Sequence, residues 1–430
     1  MTVKDIKEDI QQVRTFRAFG SRNYRLYFMG QGVSLVGTWM QKTAVSWVIY
    51  SMTHSKLMLG VSVFCSLFPS FALSSMGGVV SDRYNKFKVL LTTQIASLIQ
   101  AVLLAILIFL KHYEVWEILS LSAVLGVINA FDVPARQALV YDMVDDKESL
   151  PNALALNSSM VNLARIGGPA LAGLVLHSLG DGPCFLLNAL SFVAVIISLL
   201  LMRLPVYVKK PHKKDVWGEL VEGWVYIKRN PSISSLVLML GLMSLLVLPF
   251  NSTLIPYYAR DYFKGDARTY GIIDSFIGLG AFSGAIFLAS LKVGTDLRRV
   301  LFVNTIVFGA GLILFSHEHI YGLALFFAII TGFGMMSQVT VTNTLIQTTA
   351  NPKMRGRVIS WYAMAFFGMQ PLGGLLIGWV SEKIGAPDTV LAQGFIAIGV
   401  AGLHWRYLHK EKLKKNQDLM LKEEHNFKPI

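Results

Sequence analysis

Cysteine and charge are both scarce in this 430-residue sequence, and each shortage excludes something. The two cysteines, Cys65 and Cys184, fall in or beside apolar runs, so no disulfide framework and no thiolate metal site is implied. Nine histidines lie mostly in polar stretches, among them His54, His112, His212, His317, His319, His404 and His409, without metal-ligand spacing. The chain lacks His-Glu-x-x-His, Gly-x-Ser-x-Gly, paired aspartates within an apolar run and a phosphate-binding glycine loop. These absences argue against an enzyme and against ATP as the direct energy source. No re-entrant filter sequence marks a channel. The first 22 residues are polar and charged and the first apolar run is long, so no cleavable signal peptide is expected.

What is abundant is apolar sequence. About half of the residues are apolar (53%) and 15% are charged, the wrong balance for a water-soluble chain of this length. Apolar stretches near 24–50, 58–80, 88–110, 117–139, 152–177, 184–204, 233–258, 268–291, 299–316, 319–346, 357–380 and 387–408 are each long enough to cross a hydrocarbon core of ~30 Å. Backbone polar groups have no partner in lipid, so each span must be helical. The expected fold class is an all-α polytopic membrane protein, twelve transmembrane helices in two six-helix bundles. A transmembrane barrel is excluded, because its strands would be runs of ~10 residues of strict alternation.

The formal net charge of +13 brings nucleic acid to mind, but the placement of the charge answers otherwise. Arg83, Lys86, Lys88, Arg136, Lys209, Lys210, Lys213, Lys214, Arg298, Arg299, Lys353, Arg355, Arg357 and the carboxy-terminal basic tail fall on one side of the span pattern. The other side keeps Lys56, Lys111, Arg260, Lys264, Arg268 and Lys383. Positive residues collect on the cytoplasmic face, so both termini are expected there, in a bacterial inner membrane.

The chain divides near its centre. We expect an amphipathic amino-terminal segment (1–23), a first six-helix bundle (24–204), a linker with an amphipathic helix (205–232), a second bundle (233–408) and a basic tail (409–430). In the linker Trp217, Leu220, Val221, Trp224 and Ile227 follow helical spacing, which suits a helix on the inner leaflet or one packed on the bundle ends. Val3, Ile6, Ile10, Val13 and Phe16 form a similar stripe. The halves echo each other about two hundred residues apart: Pro169 lies in Gly167-Gly168-Pro169-Ala170-Leu171-Ala172-Gly173, and Pro371 in Pro371-Leu372-Gly373-Gly374. Two such repeats are what a rocking transporter with a midplane site requires.

Two motifs carry mechanism. Gly78, Asp82, Arg83, Lys86 and Lys88 follow the second span, and they resemble the loop between helices 2 and 3 of major facilitator transporters. Asn85 stands where that family has a second glycine; asparagine tolerates the left-handed conformation, so the departure is mild. Arg165, Gly168, Pro169 and Gly173 resemble the antiporter motif of helix 5 in the same superfamily, with Ala164 and Ala172 in place of glycines. Phe16–Tyr27, Thr53-His54-Ser55, Asp132–Ala138, Asn152-Ala153-Leu154 and Arg355–Val358 extend the likeness to the drug:proton antiporter branch that includes macrolide-efflux proteins and the enterobactin exporter. The resemblance implies proton-driven export of an amphipathic drug or siderophore, with the proton gradient as energy source and no cofactor. It also implies that Asp82 and Arg83 form a gate, Asp82 at the amino end of the eleventh helix near Arg355 and Arg357, Arg83 with Asp142. A nearby branch, lysophospholipid facilitators, is the alternative.

Charges inside the membrane are costly and mark function. Lys42, Asp132, Arg165 and Asp274 fall within spans, Arg165–Asp274 is a conceivable pair, and Asp132 or Asp274 is the expected proton carrier. Asp132 is slightly preferred, for its place on a cavity-lining helix. Gln31, Asn129, Asn251, Gln338 and Asn343, with Lys42 and the aromatics Trp39, Trp47, Phe250 and Trp361, are cavity candidates for a small-molecule substrate in a monomer surrounded by membrane lipid.

Overall fold

The computed structural model describes residues 14–204, 216–292 and 294–426. The stripe Val3, Ile6, Ile10 and Val13 and the basic run from Lys209 to Lys214 lie outside the described residues. Among the described residues there is no strand. The long helices are α1 (Arg22–Thr53), α2 (Lys56–Arg83), α3 (Lys86–Leu110), α4 (Val115–Met143), α5 (Leu150–Leu179) and α6 (Asp181–Leu200). After the linker helix (Val216–Arg229) come α7 (Pro231–Tyr262), α8 (Ala267–Ala289), α9 (Leu297–Ser316), α10 (Tyr321–Thr349), α11 (Arg355–Ile384) and α12 (Ala386–Asn426).

Eleven of these, α2 to α12, are long and apolar enough to cross a membrane. The exception is α1: its 32 residues suffice in length, but Arg22, Asn23, Arg25, Gln31, Gln41 and Lys42 dilute its apolar character. Much of that polarity is used inside the protein. Asn188 of α6 donates to Gln41 at 2.7 Å, and Gln41 donates in turn to Gln100 of α3 at 3.2 Å, a buried relay joining three helices.

The helices pack in two groups. In the first, α1 lies on α5 and α6, α2 on α4, and α3 on α4 and α6; in the second, α7 lies on α11 and α12, α8 on α10, and α9 on α10 and α12. The groups meet along two crossings, α2 with α11 and α5 with α8. Each pairs a proline-bearing helix of one group with a glycine-bearing helix of the other. A Cβ on Gly271 of α8 would strike the Pro169 carbonyl, and one on Gly60 of α2 would strike the Gly374 carbonyl. Only glycine lets these backbones come so close.

Proline shapes α7 as well. The helix breaks over Val247–Pro249, and the carbonyls of Leu246 and Val247 are taken by Gln393 of α12 at 2.9 and 3.3 Å. A buried carbonyl left without a partner in lipid would be costly, which gives this buried glutamine its structural use. At the start of α3, Asn85 is an N-cap rather than a left-handed residue: its φ is −63°, and its side chain accepts from Phe87 N–H at 3.0 Å and Lys88 N–H at 3.3 Å. The reason expected for asparagine at this position is therefore corrected, because capping satisfies two orphan donors of α3.

The linker helix lies on the base of α11. Glu222 pairs with Arg357 at 2.7 Å, Trp224 stacks on Trp361 with centroids 4.7 Å apart, and Trp361 Nε1 donates to the Leu220 carbonyl at 3.0 Å. Ile227 is fully buried, whereas Val221 and Val225 remain exposed on the other face. Of the two readings of this stripe, packing on the bundle end accounts for its inner face.

Candidate functional site

The turns at 84–85, 144–149 and 350–354 gather with the linker helix at one end of the molecule, the linker end. The turns at 54–55, 111–114, 263–266 and 385 form the far end. The two ends differ.

At the far end the halves are joined. Tyr50 of α1 donates to Asp261 of α7, and His54 Nδ1 lies 3.9 Å from the same carboxylate. Lys56 of α2 reaches Glu382 of α11 through its backbone N–H at 3.0 Å and its ammonium at 3.8 Å. His177 of α5 pairs with Asp266, the N-cap of α8. Partial burial works against ionisation of Asp266, but the Thr269 N–H and the His177 ring outweigh it and hold its carboxyl below the usual range. Beneath these groups Gly173 meets α8, with Gly271 Cα 3.2 Å from where its Cβ would stand.

At the linker end the same halves stand apart around a cleft of about 850 Å³. Gly78, Asp82 and Arg83 of α2 line one side with Asn129 and Pro134 of α4; Gly356 and Arg357 of α11 and Glu219 of the linker helix line the other. A Cβ on Gly78 or Gly356 would find nothing within 4 Å. Asp82 has no ion pair or hydrogen bond among the described residues, and Arg357 is held by Glu222. Asp142, the acid expected for Arg83, pairs with Lys86 at 3.1 Å. Lys88 and Arg355 are exposed near this rim.

Between the ends the intramembrane charges separate into two settings. Asp132 is 2% exposed and faces α3, not a cavity: it accepts from Thr93 at 2.9 Å and Gln94 at 2.7 Å and pairs with Arg136 one turn away. The helix that bears Asp132 lines the linker-end cleft through Asn129 and Pro134, but the Asp132 side chain points away from it into the α3–α4 contact.

The second setting joins α1, α5, α7 and α8. Lys42 and Arg165 both lie over the Trp39 indole, at 4.8 and 5.3 Å from its centroid. Asp274 is within electrostatic range of both cations, and Asn251 sits beside it as a hydrogen-bond donor. No ion pair within 4.0 Å joins Arg165 to Asp274. Lys42 of α1 faces Asp274 of α8 and Arg165 of α5, which places its charge where the two halves meet.

The antiporter-like motif builds this setting: a Cβ on Gly168 would strike Trp39, so glycine there seats α1 and its Trp39 against α5. Ser275 of α8 donates to the Ile166 carbonyl at 2.8 Å, holding α8 against the same stretch of α5.

The other cavity candidates scatter. Asn129 lines the linker-end cleft. Gln31 and Gln338 are buried among helices, each with an unpartnered Oε1, and Asn343 accepts from Gln347 on its own helix at 3.0 Å. Sequence reasoning missed the far-end groups Tyr50, Asp261, His177, Asp266 and Glu382, and Glu222 in the linker helix.

Two six-helix groups crossing at α2–α11 and α5–α8 define a major facilitator transporter, not an enzyme. The chain belongs to the transmembrane secretion effector family, whose model matches residues 14–428. It is similar to the staphyloferrin A transporter of Staphylococcus aureus (strain NCTC 8325 / PS 47), 25% identical over 398 residues, 91% of this chain and 97% of that one. It is also similar to macrolide efflux protein A of Streptococcus pyogenes, 23% identical over 389 residues, 88% of this chain and 95% of that one. Among solved structures, a POT family transporter in complex with 5-aminolevulinic acid aligns with a TM-score of 0.74 at 15% identity, over 91% of this chain and 97% of that one, a likeness of fold alone.

Proposed function

We propose that the protein exports an amphipathic small molecule, of drug or siderophore type, across a bacterial inner membrane by alternating access. One observation carries the reading: the halves are locked at the far end and parted at the linker end around an 850 Å³ cleft, along the same two crossings. Arg83, Lys86, Lys88, Arg136, Lys353, Arg355 and Arg357 gather at the linker end, which makes it the cytoplasmic face. On this reading α1 is the twelfth span, both termini are cytoplasmic, and residues 24–204 and 233–408 are the rocking halves of a monomer. The cleft then opens to the cytosol, where an exporter loads. The relatives named for staphyloferrin A transport and macrolide efflux support that direction. When the cleft closes, Asp82 reaches the positive amino end of α11 and locks it, with Arg83 beside it.

Coupling to the proton gradient, with no cofactor, is the finer part of the reading, and Asp274 is its carrier. A coupling acid must lie where the halves meet; Asp274 sits between Lys42 and Arg165 at the α5–α8 crossing, whereas Asp132 is paired with Arg136 inside the first half. The sign of coupling follows from the substrate. A cation placed beside Asp274 competes with the proton and gives the exchange that the resemblance implies. A polyanion that travels with one proton still carries net negative charge, and the inside-negative potential draws it outward against the pH gradient.

Export assayed in inverted vesicles under an imposed pH gradient tests the reading. Asp274→Asn is expected to abolish the response to the gradient, and Asp132→Asn to keep it while lowering thermal stability. A gradient response intact in Asp274→Asn would remove Asp274 from the role. Lysophospholipid movement indifferent to pH, without export of a siderophore or drug, would replace the exporter by a lipid facilitator.

A further inference from the structure

We propose that the gap between the halves holds a binding site for an organic polycarboxylate, with Lys42 and Arg165 taking its carboxylates beside the Trp39 indole. The inference rests on the exporter reading for the gap being the substrate's path.

Cations within membrane-spanning helices normally carry their own counter-ions, because an uncompensated charge there is costly. Arg136 shows the ordinary solution in this molecule, with Asp132 one turn away. Lys42 and Arg165 do not follow it. Lys42 has no hydrogen bond or ion pair among the described residues; its contact is the face of Trp39. Arg165, with five N–H donors, meets one protein acceptor, the Met336 sulfur at 4.0 Å, and the same indole. Two cations share one ring, and neither has a carboxylate within ion-pair distance among the described residues.

Asp274 is the acid that faces them, and it does not neutralise the pair. With Lys42 and Arg165 both charged, two positive charges against one negative leave the site net positive whether Asp274 is ionised or protonated. A cationic amphiphile is therefore disfavoured and an anion attracted. The guanidinium fork matches a carboxylate in two-point geometry. Two separated single cations suit two singly charged groups better than one phosphate, which is commonly cradled by clustered backbone N–H groups. Trp39 and Met336 offer apolar contact to the organic frame between the charges. Asp274 and the ligand compete for the same cations, so removing the charge of Asp274 strengthens the site. The proton that neutralises Asp274 then accompanies the anion, and exchange gives way to co-movement.

The test uses the full chain purified in lipid nanodiscs, with propane-1,2,3-tricarboxylate as probe and its neutral trimethyl ester as control, read by titration calorimetry and tryptophan fluorescence. The tricarboxylate is expected to bind with the ester at least ~10-fold weaker; Lys42→Gln and Arg165→Gln each weaken it ~10-fold or more, and Asp274→Asn tightens it. Lys42→Arg and Arg165→Lys keep charge and volume, and they are expected to recover most of the loss if charge is what matters. No tricarboxylate binding up to about 10 mM, equal binding of the ester, or glutamine variants that fold and bind within about two-fold of the parent would each overturn the proposal. Export of the same probe from inverted vesicles separates the two readings. Binding as described without export leaves the site and defeats the exporter; export unaffected by Lys42→Gln and Arg165→Gln leaves the exporter and defeats the site.

Discussion

The far end and the linker end use the same helix crossings and differ in what stands opposite each glycine. At the far end Gly60 meets the backbone of Gly374 and Leu375, and Gly173 meets that of Ala267 and Arg268. At the linker end Gly78 and Gly356 look across open space. Charge follows the same division: acids and bases pair across the halves at the far end, while Asp82 at the linker end has no partner among the described residues and Arg357 is occupied by the linker helix. A transporter that rocks must be able to exchange these two conditions, and the glycines mark where close approach is in use and where it is held in reserve.

Breaking the closed end has the largest expected effect. In Gly60→Leu the new side chain meets backbone, which cannot swing aside, so the far-end contact between α2 and α11 must open. Overpacking of this kind costs typically 1–3 kcal/mol, and here it falls on the conformation seen. Export is expected to be lost, the melting temperature to fall by several degrees, and a cysteine at Leu57 to react with an impermeant thiol reagent from outside. Unchanged labelling would mean that the glycine contact does not hold the far end.

Gly78→Leu is the opposite experiment. Nothing within 4 Å opposes the new side chain, so the melting temperature is expected to stay at the parent value. Closure of the cleft would instead be blocked, and export should fall at least ~10-fold. Full export in this variant would show that Gly78 is not a closing surface.

The contrast also explains what the sequence made legible. Apolar runs, the basic side and the proline-glycine clusters are local properties, so α2 to α12 and the motif positions could be read directly. The hidden parts depend on pairs far apart in the chain. Asp132 read as a coupling acid because a carboxylate in an apolar run looks unpaired; its partner one turn on, Arg136, read as a loop cation. Asp142 could be named as an acid near the loop, but its contact with Lys86, 56 residues away, could not be read from spacing. Lys42, Arg165 and Asp274 could each be flagged singly, but their meeting around Trp39 depends on Gly168 seating α1 on α5, which no spacing reveals.

A smaller effect is expected from the latch charges. Asp82→Asn removes the group that would cap α11 on closure, an interaction contributing up to about 2 kcal/mol in favourable geometry. The population should shift toward the open linker end, with slower export and a more reactive cysteine placed at Ser360. Glu222→Gln acts the other way: it releases Arg357 for the approaching Asp82. The pair is partly exposed and worth about 0–1 kcal/mol, so a modest shift toward closure is expected. Parallel shifts in the two variants would show that Arg357 is not shared between them.

The smallest effect concerns acidity at the far end. The Asp266 carboxyl is held below its ordinary value when paired with His177 and capping α8. A depressed carboxyl contributes stability above its unfolded value of about 4, and that contribution is lost only as pH falls through the lower, folded value. Acidifying the outside from pH 7 to pH 5 should therefore leave the Asp266 share of the closure intact. Labelling of a cysteine at Arg268 would rise only below about pH 4. In Asp266→Asn the share is absent at every pH, so labelling is expected to be faster throughout, by no more than a few-fold for a partly exposed pair. A rise already at pH 5 that persists in Asp266→Asn would move the sensitivity to another contact joining the halves at this end, such as Tyr50–Asp261–His54.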